Sequence, residues 1–199
     1  MKRLMPVLFL AAAAAAQQVT IRDTIEALPP ISFCQDGATH RTICTNQRLR
    51  PGAVGNLVPF EGVPVEITGT PGAITCAFVT VSSIAVQANA QFAVTTTTTT
   101  TMSLDFFGDG PAGDVYLLFM GLRLQAAPTM FPPFTGPVHL DPAGSWFVGL
   151  FVPQGATTPY HSLTFPFTPG LIGVDFFDQA LTLHSSGAGE TTVVDCFAF

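Results

Sequence analysis

From Val63 onward the chain alternates apolar and polar positions with a period of two. Val63, Val65 and Ile67 interleave with Pro64, Glu66 and Thr68, and "YHSLTFPF" repeats the pattern near residue 163. That period is the signature of half-buried strands, because successive side chains on a strand point to opposite faces. "VYLLFMGLRL" is apolar on both faces and reads as a central or covered strand. "PVHLDPAGSWFVGLFVP" reads as a short strand, a turn and a second strand. "TTVVDCFA" reads as the last strand, and "QAAPTMFPPFTG" as a Pro-rich loop. In "LIGVDFFDQALTLH" the apolar parity switches at Phe176 and Phe177, which predicts a bulge there. No stretch carries a sustained helical period.

The seven threonines Thr95–Thr101 test this reading. Phe92 and Val94 before the run, and Met102, Leu104 and Phe106 after it, all occupy even positions. One register across the run predicts a single long strand from Gln91 to Phe107, bent near its middle. Thr suits a strand because its branched Cβ fits the pleat. A sugar-bearing stalk would bring Pro into the run, and a Thr array for ice or ligand contact would need the motif to recur.

The 35 Gly and Pro residues punctuate the chain at turns, and regular turns between short strands predict a β-sandwich. The expected fold is all-β: an antiparallel sandwich of jelly-roll or Ig-like type with a short irregular N-terminal segment. Three segments are expected: 1–16 as a signal peptide, 17–60 as a disulfide-pinned lead segment, and 61–199 as the sandwich. The first rests on basic Lys2 and Arg3, an apolar stretch from Met5, and an A-x-A site at Ala14–Ala16 that leaves Gln17 at the mature end.

Charge narrows the function. Charged residues make up 10% of the chain. Without residues 1–16, five Arg face thirteen carboxylates, for a net charge of −8. Nucleic-acid binding is excluded, since phosphate contacts need clustered Lys and Arg, and contact with anionic membranes is disfavoured. The signal peptide sets the expected location: secreted or at the cell surface, in the periplasm or the extracellular space, after cleavage near Ala16. Cys34, Cys44, Cys76 and Cys196 imply two disulfides in an exported chain. Side-chain parity around Cys76 and Cys196 places each on the apolar face of a strand and favours Cys76–Cys196, leaving Cys34–Cys44 as a local loop.

Candidate chemistry is thin. The four His are scattered without metal-ligand spacing. His139 and Asp141 share a strand face and read as a polar strand end. Asp105, Asp109 and Asp114 surround a Gly-rich turn, without the spacing of an EF-hand loop. No catalytic residue, metal ligand or cofactor site is expected. The 18 Phe fill a core, and any apolar surface left over would mark a partner or self-association site.

The second half resembles a known module. Leu140, Asp141, Pro142 and Gly144 form an "LDP-x-G" turn; Pro166, Pro169, Leu171 and Gly173 follow; then come Gln179, Ala180 and Leu181. Residues 100–198 are thereby similar to the C-terminal module of secreted proteins of Planctomycetes and related marine bacteria. The chain departs from that pattern at "VVDCFAF", where an Asn-containing stop is common. The resemblance implies export and a β-sandwich, with no activity attached. The expected function is a secreted, non-catalytic structural or binding module with an unknown protein or glycan partner. The alternatives are a carbohydrate-binding sandwich with calcium, a small outer-membrane β-barrel ending at Phe199, and a secreted hydrolase.

Overall fold

The structure, a computed structural model, describes residues 17–29, 33–87, 91–111, 113–155 and 157–199; the expected signal peptide lies outside them. The described chain is almost wholly β, as the alternation predicts, and its strands enclose two apolar cores.

The first core lies inside a closed barrel. Strands β1 (Val19–Ala27), β2 (His40–Thr42), β3 (Arg48–Pro51), β4 (Pro64–Ala73) and β5 (Ala77–Val86) follow the order 1-2-3-5-4, and β4 returns to β1. β3 and β5 run parallel; every other pair is antiparallel. This is the plan of a small five-stranded Greek-key barrel. Ile21, Ile25, Leu49, Val65, Ile67, Val79 and Val81 fill it, and Leu57 enters just before a 3-10 turn at Val58–Phe60. Residues 17–60 are therefore no separate lead segment. Three of the five staves come from them, because β4 and β5 alone would leave their apolar faces in water.

The second core lies between two sheets. One is ordered β11 (Ser145–Phe151), β8 (Val115–Gly121), β13 (Asp175–Leu183), β14 (Gly189–Thr191), with β15 (Asp195–Ala198) also paired to β13. The other is β12 (His161–Pro166), β7 (Thr101–Gly108), β6 (Gln91–Thr97). Leu104 and Phe106 from the second sheet meet Leu118, Met120 and Phe176 from the first. This half is the expected sandwich. A separate ribbon, β9 (Leu124–Met130) with β10 (Pro137–Leu140), lies over the outer side of the first sheet.

Four local expectations change. The threonine run folds into a hairpin, not one long strand. Thr98 Oγ1 accepts from the amides of Thr100 and Thr101, and Thr98 N donates to Thr101 O at 2.8 Å. The register pairs Gln91 with Gly108 and Thr97 with Met102, so odd positions of β6 face even positions of β7. Phe92 and Val94 therefore lie exposed on the face opposite to buried Met102, Leu104 and Phe106, and the shared parity does not mark one face. The expected loop at "QAAPTM" is strand β9, a ribbon edge where Pro128 is tolerated. β13 carries no bulge at Phe176 and Phe177; the parity switch reflects cover on both faces. Cysteine pairing also differs: Cys34 bonds Cys76, and Cys44 bonds Cys196. Cys76 sits in the β4–β5 turn beside the β1–β2 connection that holds Cys34, so the core-facing strand position assumed for it does not exist.

Barrel and sandwich meet along a polar seam. Arg22 projects from β1, donates from Nε to Glu66 Oε2 at 2.7 Å and from Nη1 to Thr191 O, and approaches Glu190 at 3.5 Å. Its amide donates to buried His139, and its carbonyl accepts from Val194 N at 3.1 Å. Gly136 lies against this guanidinium at φ +89°, and a Cβ there would stand 2.4 Å from Arg22 Cζ and 2.5 Å from Thr191 Oγ1. Gly136→Val should lower stability by on the order of 3 kcal/mol through overpacking and positive-φ strain, read as a fall in the urea midpoint. An unchanged midpoint would mean that the seam is not packed this way.

Candidate functional site

The outer face of the β11–β8–β13 sheet is apolar where a solvated sandwich face would be polar. Leu117 and Phe119 of β8 stand opposite Leu150 and Phe147 of β11. Phe147 and Leu150 are 52% and 62% exposed, and the Phe119 and Phe147 rings lie 5.3 Å apart. The sequence stretch "SWFVGLFVP" held this signal, since its apolar residues fall on both faces. In the other sheet β12 follows the hydroxyl pattern: Ser162 and Thr164 are exposed while Leu163 and Phe165 turn inward; on β6 and β7 the outer face carries the stacked pair Phe92 and Phe107.

The β9–β10 ribbon folds over one end of the apolar face and makes a cavity of about 200 Å³. Phe119, Phe131, Val138, Leu140 and Leu181 form most of its wall. Two glutamines fix the ribbon. Gln179 accepts from His139 N and donates to Pro137 O and Thr192 O, each at 2.9 Å. Gln125 Nε2 donates to Val138 O and Leu140 O, across the point where the β9–β10 register shifts. Both amides act as rivets, and the bonds of buried Gln179 offset its desolvation. The wall carries no titratable group, and what it offers is shape and apolar surface.

The residues singled out for chemistry do not converge. His139 lies on β10 and is buried at the seam, where burial first and the nearby Arg22 charge second push its imidazole down to about 4. Asp141 accepts from Ala143 N and helps close the next turn. Asp105 accepts from Ser162 Oγ at 2.6 Å; Asp114 is buried and pairs with His184 Nδ1 at 2.7 Å; Asp109 is exposed and borders a different cavity. Among the described residues, one set of three ligand-type atoms lies within 4.8 Å, at Cys34, Asp36 and Cys76, and its two sulfurs are bonded to each other.

Sequence reasoning missed a set of buried acids. Asp23 is fully buried; its carboxylate accepts from the amides of Thr24, Cys44 and Thr45 and from Thr45 Oγ1. Burial outweighs those bonds and raises it to about 6. Asp178 of β13 lies directly opposite Asp195 of β15. Burial, and then the Asp195 charge, raise Asp178 well above the usual carboxylate range. Burial raises Asp195 to about 6 despite bonds from Ala93 N and Cys196 N.

No family profile matches the chain, and searches of curated proteins and of solved structures return no match.

The shifts set a pH dependence. A carboxyl raised in the folded state contributes most below its unfolded value of 3.8, and that contribution is lost as pH rises toward about 6. His139, lowered from 6.5, acts oppositely: its contribution is complete above 6.5 and is lost as pH falls toward about 4. Three raised acids outweigh one lowered imidazole. The Tm should therefore be about 2–6 °C higher at pH 5 than at pH 7.5, and it should drop again below pH 4, where Asp36, held down to about 2 by its bonds to Arg48, takes up its proton. A Tm that falls steadily from pH 7.5 to pH 5 would contradict this arrangement.

Proposed function

We propose that this chain is an exported, non-catalytic binding module that holds a partner through the apolar groove between β8, β11 and the β9–β10 ribbon. The observation that carries the reading is the size and chemistry of the cavity. At about 200 Å³ it is smaller than the sites that enclose drug-sized ligands, and it compares with a cavity that holds one benzene. It suits one aromatic ring or branched alkyl group projecting from a larger partner. Phe147 and Leu150 extend the apolar surface outward from it, as the surroundings of an anchor pocket do.

The same features weigh between the other readings. A sugar site needs polar groups aimed at hydroxyls, and both amide groups of Gln179 in the wall are already committed to backbone. Outer-membrane barrels begin at eight strands, whereas the closed barrel here has five and a filled interior. A hydrolase needs a nucleophile beside a base, and the groove wall offers no base. Two disulfides fit an oxidising compartment. The likeness of residues 100–198 to secreted modules of Planctomycetes belongs to this reading as well.

The dye ANS serves as a probe of the groove. The native chain should enhance its fluorescence, and Phe131→Ala and Phe147→Asp should each weaken binding by about tenfold with Tm unchanged. Retention of the chain on a glycan array, with both variants retained equally, would overturn the reading in favour of a sugar site elsewhere. Extraction from cells only with detergent would also count against it.

A further inference from the structure

The terminal strand carries a feature that neither stability nor groove binding accounts for. Asp195 of β15 and Asp178 of β13 are register partners, so both carboxylates project from the same face of the sheet toward the sandwich interior. Asp178 is fully buried; its Oδ1 accepts from Gln91 Nε2, and its Oδ2 is buried without a hydrogen-bond partner. Asp195 Oδ2 accepts from Ala93 N at 2.6 Å. Asp195 itself is half-buried and borders a cavity that Asp109 also lines. With Asp178 cut off from water, two carboxylates at adjacent positions cannot both be ionised without a cation between them.

Among the described residues, the surroundings supply no cation. β8 presents Met120 opposite Asp178, and its Tyr116 lies further along the strand. β6 presents the Gln91 amide, whose Oε1 accepts from Tyr160 OH at 3.2 Å. β1 contributes Asp23, a third negative charge acting on Asp195. The guanidinium of Arg22, whose carbonyl is bonded to Val194, turns away to Glu66, Glu190 and Thr191. Every charge that acts on the pair is thus a carboxylate.

We propose that Asp178 and Asp195 share one proton and form a pH-operated latch on β15: the strand is fastened to β13 while the proton is held and loosens when it leaves. The position gives the latch something to open. β15 lies between β13 and β6, where Thr95 Oγ1 also donates to Ala198 O at 2.9 Å. Phe197 on β15 stacks on Phe176 at 5.6 Å, so loosening bares an aromatic layer of the sandwich core. The neighbouring Cys196 is bonded to Cys44 of the barrel, so a loosened strand stays tethered on the barrel side.

Hydrogen exchange reads the latch amide by amide, after division by the intrinsic rate at each pH. In the native chain, residues 195–198 should exchange about tenfold or more faster at pH 8.5 than at pH 5.5, while β4 and β5 keep their protection. Asp178→Asn mimics the protonated acid: its amide can donate to Asp195 and still accept from Gln91. It should hold β15 closed at both pH values and remove the difference. Where that variant does not fold, Asp195→Asn serves, and carboxyl NMR of the native chain reads the pair directly, with one of the two acids keeping its proton above pH 7. Equal protection of 195–198 at both pH values, an undiminished difference in the Asn variant, or two acids both ionised at pH 6 would each overturn the latch.

Discussion

The tie between the two cores is the constraint on which the rest depends. Barrel and sandwich each close around their own apolar interior, and no core residue is shared between them. What holds them in one arrangement is the Arg22 seam together with the Cys44–Cys196 bridge, which spans 152 residues of sequence. In the chain-entropy treatment a loop of that length contributes about 5 kcal/mol, and the 42-residue Cys34–Cys76 loop about 4 kcal/mol. Against a typical folding stability of about 5–15 kcal/mol, these are large fractions. The second bridge joins two connections of the barrel, so it acts within that core.

The seam also explains why this chain buries acids. Cys44 N and Thr45 N, flanking the bridge, both donate to Asp23, which organises the β2–β3 connection from inside the barrel. Asp195 precedes Cys196 and anchors Ala93 at the edge of the sandwich. Each acid satisfies backbone amides that would otherwise be buried unpaired, a cost comparable with that of the buried carboxyl itself. The result is a joint whose strength depends on protonation, which an Arg–carboxylate joint such as Arg48–Asp36 does not share: there the guanidinium holds the acid down at about 2.

Much of the fold was legible because period-two alternation survives wherever a strand has one wet face. β7, β12 and the first half of β4 could be read residue by residue, and β8 stood out as continuously apolar. What escaped was information that parity does not carry. The hairpin turn at Thr98–Thr101 inverts parity, so even-numbered Phe92 and Val94 face outward while Met102, Leu104 and Phe106 face the core, and their shared numbering imitated one continuous strand. Parity put Cys76 on a core-facing strand position, whereas it lies in the β4–β5 turn, and no local pattern says which cysteines meet. The barrel depends on pairing β1 with β4 across some forty residues, a long-range contact with no local mark. The groove was half visible, since "SWFVGLFVP" displays excess apolar residues, while the ribbon that completes it hid in a Pro-rich stretch. The acid pair was invisible, since Asp178 and Asp195 meet only through the β13–β15 register.

The most direct measurement of the account is a proteolytic map of the oxidised chain without reduction. A two-core protein joined at β15 requires one linked peptide pair holding Cys44 with Cys196 and another holding Cys34 with Cys76. Recovery of Cys34 with Cys44 and of Cys76 with Cys196 would contradict it, because the barrel connections and the terminal strand could not then occupy the positions described.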